Sequence, residues 1–151
     1  MAQRTERTVL NHLIETCRDA ERGFSAAAAH VESSRVKDLF ERMATQRARI
    51  ADVLAPHAQR LGGDSAADGT AGAVLHRGWI DIKSRWRPHD DNAIIDEVER
   101  GESITLRAFE DALEGILPPD SRPVIEGLYA ELRKAHGEIA SIDRVHDVHT
   151  S

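Results

Sequence analysis

The stretch 62–91, GGDSAADGTAGAVLHRGWIDIKSRWRPHDD, decides the fold, because it joins two pairs of helical segments. Its first part, Gly62 to Gly72, is dominated by glycine, alanine, serine and aspartate, the composition of a loop. From Ala73 to Trp86 the apolar residues Val74, Leu75, Trp79, Ile82 and Trp86 recur at helical spacing. That spacing predicts a short amphipathic connector helix over 72–86. Arg87-Pro88 ends it, and Asp90 or Asp91 is placed to cap the helix that follows. A bare turn here would make the next helix antiparallel to the previous one. A connector helix of about 14 residues covers roughly 20 Å at ~1.5 Å per residue. The chain can therefore run back along the molecule and start its third long helix parallel to the second.

Outward from that stretch, four long helices are predicted, over about 5–32, 34–62, 90–117 and 121–146. The first carries Leu10, Leu13, Ile14, Cys17, Ala20, Phe24, Ala27, Ala28 and Val31 on one face. Ser33-Ser34 breaks the pattern, with Ser34 read as the cap of the second helix. Val36, Leu39, Phe40, Met43, Ile50, Leu54, Ala58 and Leu61 then lead to the Gly62-Gly63 stop. So short a break makes an antiparallel hairpin. The third helix has Ile94, Ile95, Val98, Leu106, Phe109, Leu113 and Ile116 inward, and Pro118-Pro119-Asp120 stops it. The fourth has Val124, Leu128, Leu132, Ala135, Ile139 and Ile142. Two hairpins with one long crossover describe an all-α, ferritin-like four-helix bundle, here a single domain over 1–151.

Composition suits that architecture. The chain has 151 residues, 40% of them apolar and 30% charged, enough to bury a core. Aromatic residues are only 4%, so the core is aliphatic and alanine-rich. The net charge of -6 is spread over interleaved acidic and basic residues, without the basic stripe of a nucleic-acid binder. A single cysteine, Cys17, excludes an internal disulfide and a thiolate-rich zinc site. The start, MAQRTERTVL, lacks the apolar run of a signal peptide, and no segment reaches ~18 apolar residues. The expected location is the cytoplasm, without a membrane partner. A homo-oligomer, with a dimer favoured, is the expected assembly.

Charged residues on the inward stripes mark where a site would lie. With ~100° per residue, Glu102 falls within about 20° of the third helix's apolar centre, and Glu99 lies well to one side. Arg47 falls within about 30° of the second helix's centre. His136 and Asp143 stand at the edge of the fourth helix's stripe, and Glu21 at the edge of the first. Asp19, His12 and His30 point away from the core on this count. Measured from the turns, Glu21, Arg47, Glu102 and His136 fall in one mid-bundle layer.

Buried charge must pair or bind something, which leaves two readings. Carboxylates and imidazole could hold iron or manganese, with Glu102, His136, Glu99 and Glu21 as ligands. Alternatively, Arg47 and Glu102 form an internal ion pair with His136 nearby, and no cofactor is needed. The di-metal pattern wants Glu-x-x-His on two helices. Arg133 stands three residues before His136, and Gln46 and Arg49 occupy the equivalent helix-2 positions. A guanidinium in the layer also repels cations. Elsewhere His89-Asp90-Asp91 reads as a capping loop, His146 and His149 as a tail, and Cys17 as a buried structural thiol. Trp79 and Trp86 read as anchors for the connector.

Several stretches resemble a known family. They are Leu10-Asn11-His12-Leu13-Ile14, Asp19, Gly23-Phe24, the run Leu75-His76-Arg77-Gly78-Trp79-Ile80-Asp81-Ile82-Lys83, Glu99-Arg100-Gly101-Glu102 and His136. Together, over about Thr5 to Asp143, they are similar to a bacterial ferritin-like family of unknown function, common in proteobacteria. The resemblance implies a bundle related in shape to rubrerythrin-type proteins and no settled activity. Members usually carry Glu-Arg where this chain has Gln46-Arg47, a departure that removes a possible helix-2 ligand. Two functions follow as expectations: a non-catalytic structural or stress-associated module, or a metal-dependent oxidoreductase or iron-handling protein.

Overall fold

The computed structural model describes residues 2–62 and 90–142, with side chains from residue 5 onward. They form four helices: α1 (Ala2–His30), α2 (Ser34–Gln59), α3 (Asp91–Glu114) and α4 (Arg122–Ala140). No strand occurs among the described residues. The connector predicted over 72–86, with Trp79 and Trp86, lies outside them, as do His89, Asp143, His146 and His149.

Helix ends follow local chemistry, with differences from the sequence reading. Ser33, not Ser34, is the N-cap of α2, and its hydroxyl accepts from the Val36 amide at 3.3 Å. Ser34 already belongs to the first turn. At the other end, Arg60 to Gly62 close with backbone hydrogen bonds of 3.0 Å. Gly62 adopts φ +79°, a left-handed conformation that glycine takes without steric cost. Asp90 caps α3 by accepting from the Ala93 amide at 3.2 Å. Arg122 closes the opposite end of α3, donating to the carbonyls of Leu113 and Gly115 at 2.7 and 2.8 Å. The α4 helix stops at Ala140 with Ser141 as its C-cap, short of the predicted end.

Helix directions are set by contacts between ends. The amides of Glu32 and Ser33, in the α1–α2 turn, both donate to the Asp91 carboxylate, at 2.8 and 2.9 Å. The start of α3 therefore lies beside the start of α2, and those two helices run parallel. At the far end His57 of α2 meets Ser121, at the start of α4, at 2.7 Å. The order is up, down, down, up. Helix α1 packs on α2 and α3, and α3 packs on α4. Arg49–Glu131 joins α2 to α4. This leaves α2 and α3 diagonally opposed.

The core divides in two. One half is built from Phe24, Val31, Phe40, Met43, Ile95, Val98 and Ile139. The other contains Leu10, Leu13, Ile50, Leu54, Phe109, Ile125 and Leu132. Between the halves lie Arg47 and Glu102, both fully buried. Helix α1 is buried around most of its circumference, wider than a single apolar stripe. For that reason Asp19, expected to face outward, is buried, at 2% exposure. His12 is half-buried and His30 exposed. No helix among the described residues is long and apolar enough to cross a membrane.

Asp91 braces the α1–α2 turn through charge-assisted hydrogen bonds. Replacing Asp91 with Ala should lower stability by about 1–3 kcal/mol, read as a shift in the urea midpoint. An unchanged midpoint would show that solvent serves those two amides equally well.

Candidate functional site

The candidate site is the layer between the two half-cores. Arg47 projects from the inner face of α2, where the 3.6-residue period that buries Met43, Ile50 and Leu54 also carries it inward. One guanidinium arm, Nη2, donates to Oε2 of Glu102 on α3. The other, Nη1, donates to Oε1 of Gln46 at 2.6 Å. The plane of charge lies over the Phe24 ring of α1, 5.1 Å from its centroid, within cation–π range. Phe24 is itself held by Phe40, with ring centroids 5.7 Å apart. Three helices thus converge on one head group.

Burial gives this pair its energetic weight. Removing a guanidinium and a carboxylate from water costs several kcal/mol each, and their attraction offsets this only with good geometry. The geometry is not saturated. Arg47 Nε, Glu102 Oε1 and His136 Nδ1 are enclosed and make no hydrogen bond with any described residue. Polar atoms of this kind attract a further partner or a buried water.

Cys17 lies in the field of the same pair. Burial pushes its thiol up to about 12; Arg47 pulls against that shift, Glu102 adds to it, and Arg18 opposes it. The thiolate is therefore scarce at neutral pH, and an electrophile finds little nucleophile there.

The four candidate ligands do not gather into one cluster. Glu102 is engaged by Arg47. Glu21 is partly exposed and lies 3.7 Å from Arg18 of its own helix. Glu99 and His136 are half-buried. Among the described residues, no group of three or more histidine, cysteine, aspartate or glutamate side chains is placed to hold a metal ion. Among the described residues, this donor set does not fit a di-metal carboxylate centre, which needs several converging carboxylates and open coordination positions.

Other buried polar groups escape a reading by stripes. Asp19 takes an ion pair from Arg22 at 2.6 Å. The Thr16 hydroxyl donates to the His12 carbonyl at 2.7 Å, a local bond that a buried threonine makes within its own helix. Gln46 is the partner that periodicity misses, since neighbouring positions on a helix do not normally face each other. It reaches Arg47 only because the guanidinium is long enough to turn back beside it. The Phe24 platform has no polar signature to announce it.

Two outcomes follow from this layer. Arg47→Met alone should cost about 3–5 kcal/mol, because it strands Glu102 in the core. The double variant Arg47→Met/Glu102→Leu should recover most of that loss in urea denaturation. A double variant no more stable than the single would mean that the charges are not coupled. Cys17 should resist a thiol reagent in the native protein at pH 8 and react fully in denaturant. Fast native labelling would contradict its burial.

No curated protein matches the chain. A family model described as "Domain of unknown function (DUF2383)" matches residues 5–115, which takes in α1, α2 and α3 and leaves α4 outside. Glu102, Arg47 and Phe24 all fall within the matched span. With a match across most of its length, the chain belongs to this family of unknown function.

Proposed function

We propose that this protein is a non-catalytic, ferritin-like helical module with a metal-free interior, acting as a structural or stress-associated component in the cytoplasm. The carrying observation is the Arg47–Glu102 pair at the centre of the core. A resident guanidinium neutralises the one carboxylate that a central metal would need, and it repels an incoming cation. The parallel run of α2 and α3 supports the ferritin-like part of the reading, since that order requires one long crossover.

Self-association, as a dimer, belongs to the same reading. Its support is an open groove of about 620 Å³ between α2 and α4. Val36, Leu39 and Ile142 give the groove an apolar floor, and Arg35, Arg42 and Glu138 give it a rim of both signs. A mixed-sign rim suits a surface that meets a copy of itself.

The opposing reading is a metal-dependent oxidoreductase or iron-handling protein using Glu102 and His136. It draws on the enclosed, unpartnered Glu102 Oε1 and His136 Nδ1. Elemental analysis of protein purified from iron- and manganese-supplemented cultures separates the two. The expected result is well below one metal per chain, with Glu102→Ala changing stability only. Near-stoichiometric iron or manganese, lost in Glu102→Ala, would overturn the proposal.

A further inference from the structure

We infer that the centre of the bundle is a socket for one planar, monovalent cation of the guanidinium class, filled here by the head group of Arg47, and that divalent metals do not fit it. This rests on the metal-free reading above and specifies the chemistry of the same position.

Charge comes first. The buried carboxylates among the described residues are Asp19 and Glu102. Asp19 is engaged by Arg22, so the central layer presents a single negative charge. A monovalent cation neutralises it. A divalent ion would leave a net positive charge in a dry core, which is costly. Shape comes second. One face of the socket is the Phe24 ring, 5.1 Å from the guanidinium carbon. A flat, weakly hydrated cation stacks on an aromatic face, whereas a metal ion seeks lone pairs. Acceptor placement comes third. Glu102 Oε2 and Gln46 Oε1 each receive a different arm of the head group. That arrangement matches a forked donor, one arm to each acceptor.

The socket also has a way in. Gln46, which holds one arm of Arg47, lines an open groove of about 410 Å³ between α2 and α4 together with Arg42, Arg49 and Glu131. Half-buried Gln46 thus borders both the groove and the head group.

Removing the resident cation tests the inference. Arg47→Ala deletes the side chain beyond Cβ, and ethylguanidinium replaces the missing atoms. Low-millimolar ethylguanidinium chloride should raise the Tm of Arg47→Ala by several degrees and bind it 1:1 by calorimetry, with no effect on wild type. Phe24→Leu in the Arg47→Ala background should weaken that binding roughly tenfold. Manganese and zinc chloride, in separate arms, should not bind either protein. Ethylguanidinium that fails to stabilise Arg47→Ala, or manganese that binds it 1:1, overturns the inference. If Arg47→Ala does not accumulate folded, Arg47→Lys supplies the charge without the plane or the fork. Arg47→Lys should melt clearly below wild type, and an equal Tm would show that charge alone is required, which also overturns the inference. Metal found in the wild-type protein and lost in Glu102→Ala would overturn the functional reading and this inference together, whereas failed rescue with metal-free wild type would overturn this inference alone.

Discussion

A guanidinium and a carboxylate buried at the centre of the core impose the constraint on which the remaining structure depends. Each ion alone would destabilise the bundle by several kcal/mol. Together they require α2 and α3 to meet at one height, since Arg47 and Glu102 lie on those two helices. A slip of one helical turn would move the charges about 5.4 Å apart along the axis and leave both without compensation. Apolar packing on either side is far more tolerant, because leucine and isoleucine can repack against many neighbours. The polar layer therefore selects the register of a bundle whose stability comes mainly from the two half-cores around it.

The same pair relates the middle of the chain to its topology. Since α2 and α3 are parallel and diagonal, each must be positioned through other helices. Helix α1 does this by packing on both and by supplying the Phe24 ring beneath Arg47. The Asp91 carboxylate secures the common end by receiving two amides of the α1–α2 turn. His57 and Ser121 meet at the other end. Burial and the neighbouring Arg60 lower the pKa of His57, against the pull of Asp120, which favours the neutral ring. The central layer is thus flanked by polar contacts at both ends of the bundle.

A four-helix bundle with inward carboxylates invites a metal centre, and the position of Arg47 argues against one. Metal chemistry in such a core needs several negative ligands and room for exchangeable positions. Here the one central carboxylate faces an organic cation on a tether.

Much of this was legible in the amino-acid order alone. Helical periodicity marked out four helices and their apolar faces, because burial repeats every 3.6 residues whatever the partner. It also put Arg47 and Glu102 on inward stripes, and the length of the 62–91 link implied parallel second and third helices. Tertiary structure decided the rest. Asp19 is buried because α1 is enclosed around most of its circumference, which no single-helix wheel can reveal. Ser33 rather than Ser34 caps α2, as the turn is tightened by Asp91 from 58 residues away. Gln46 and Phe24 became parts of the site only when three helices met around one guanidinium. Periodicity reports which way a side chain points, and only packing determines what it meets there.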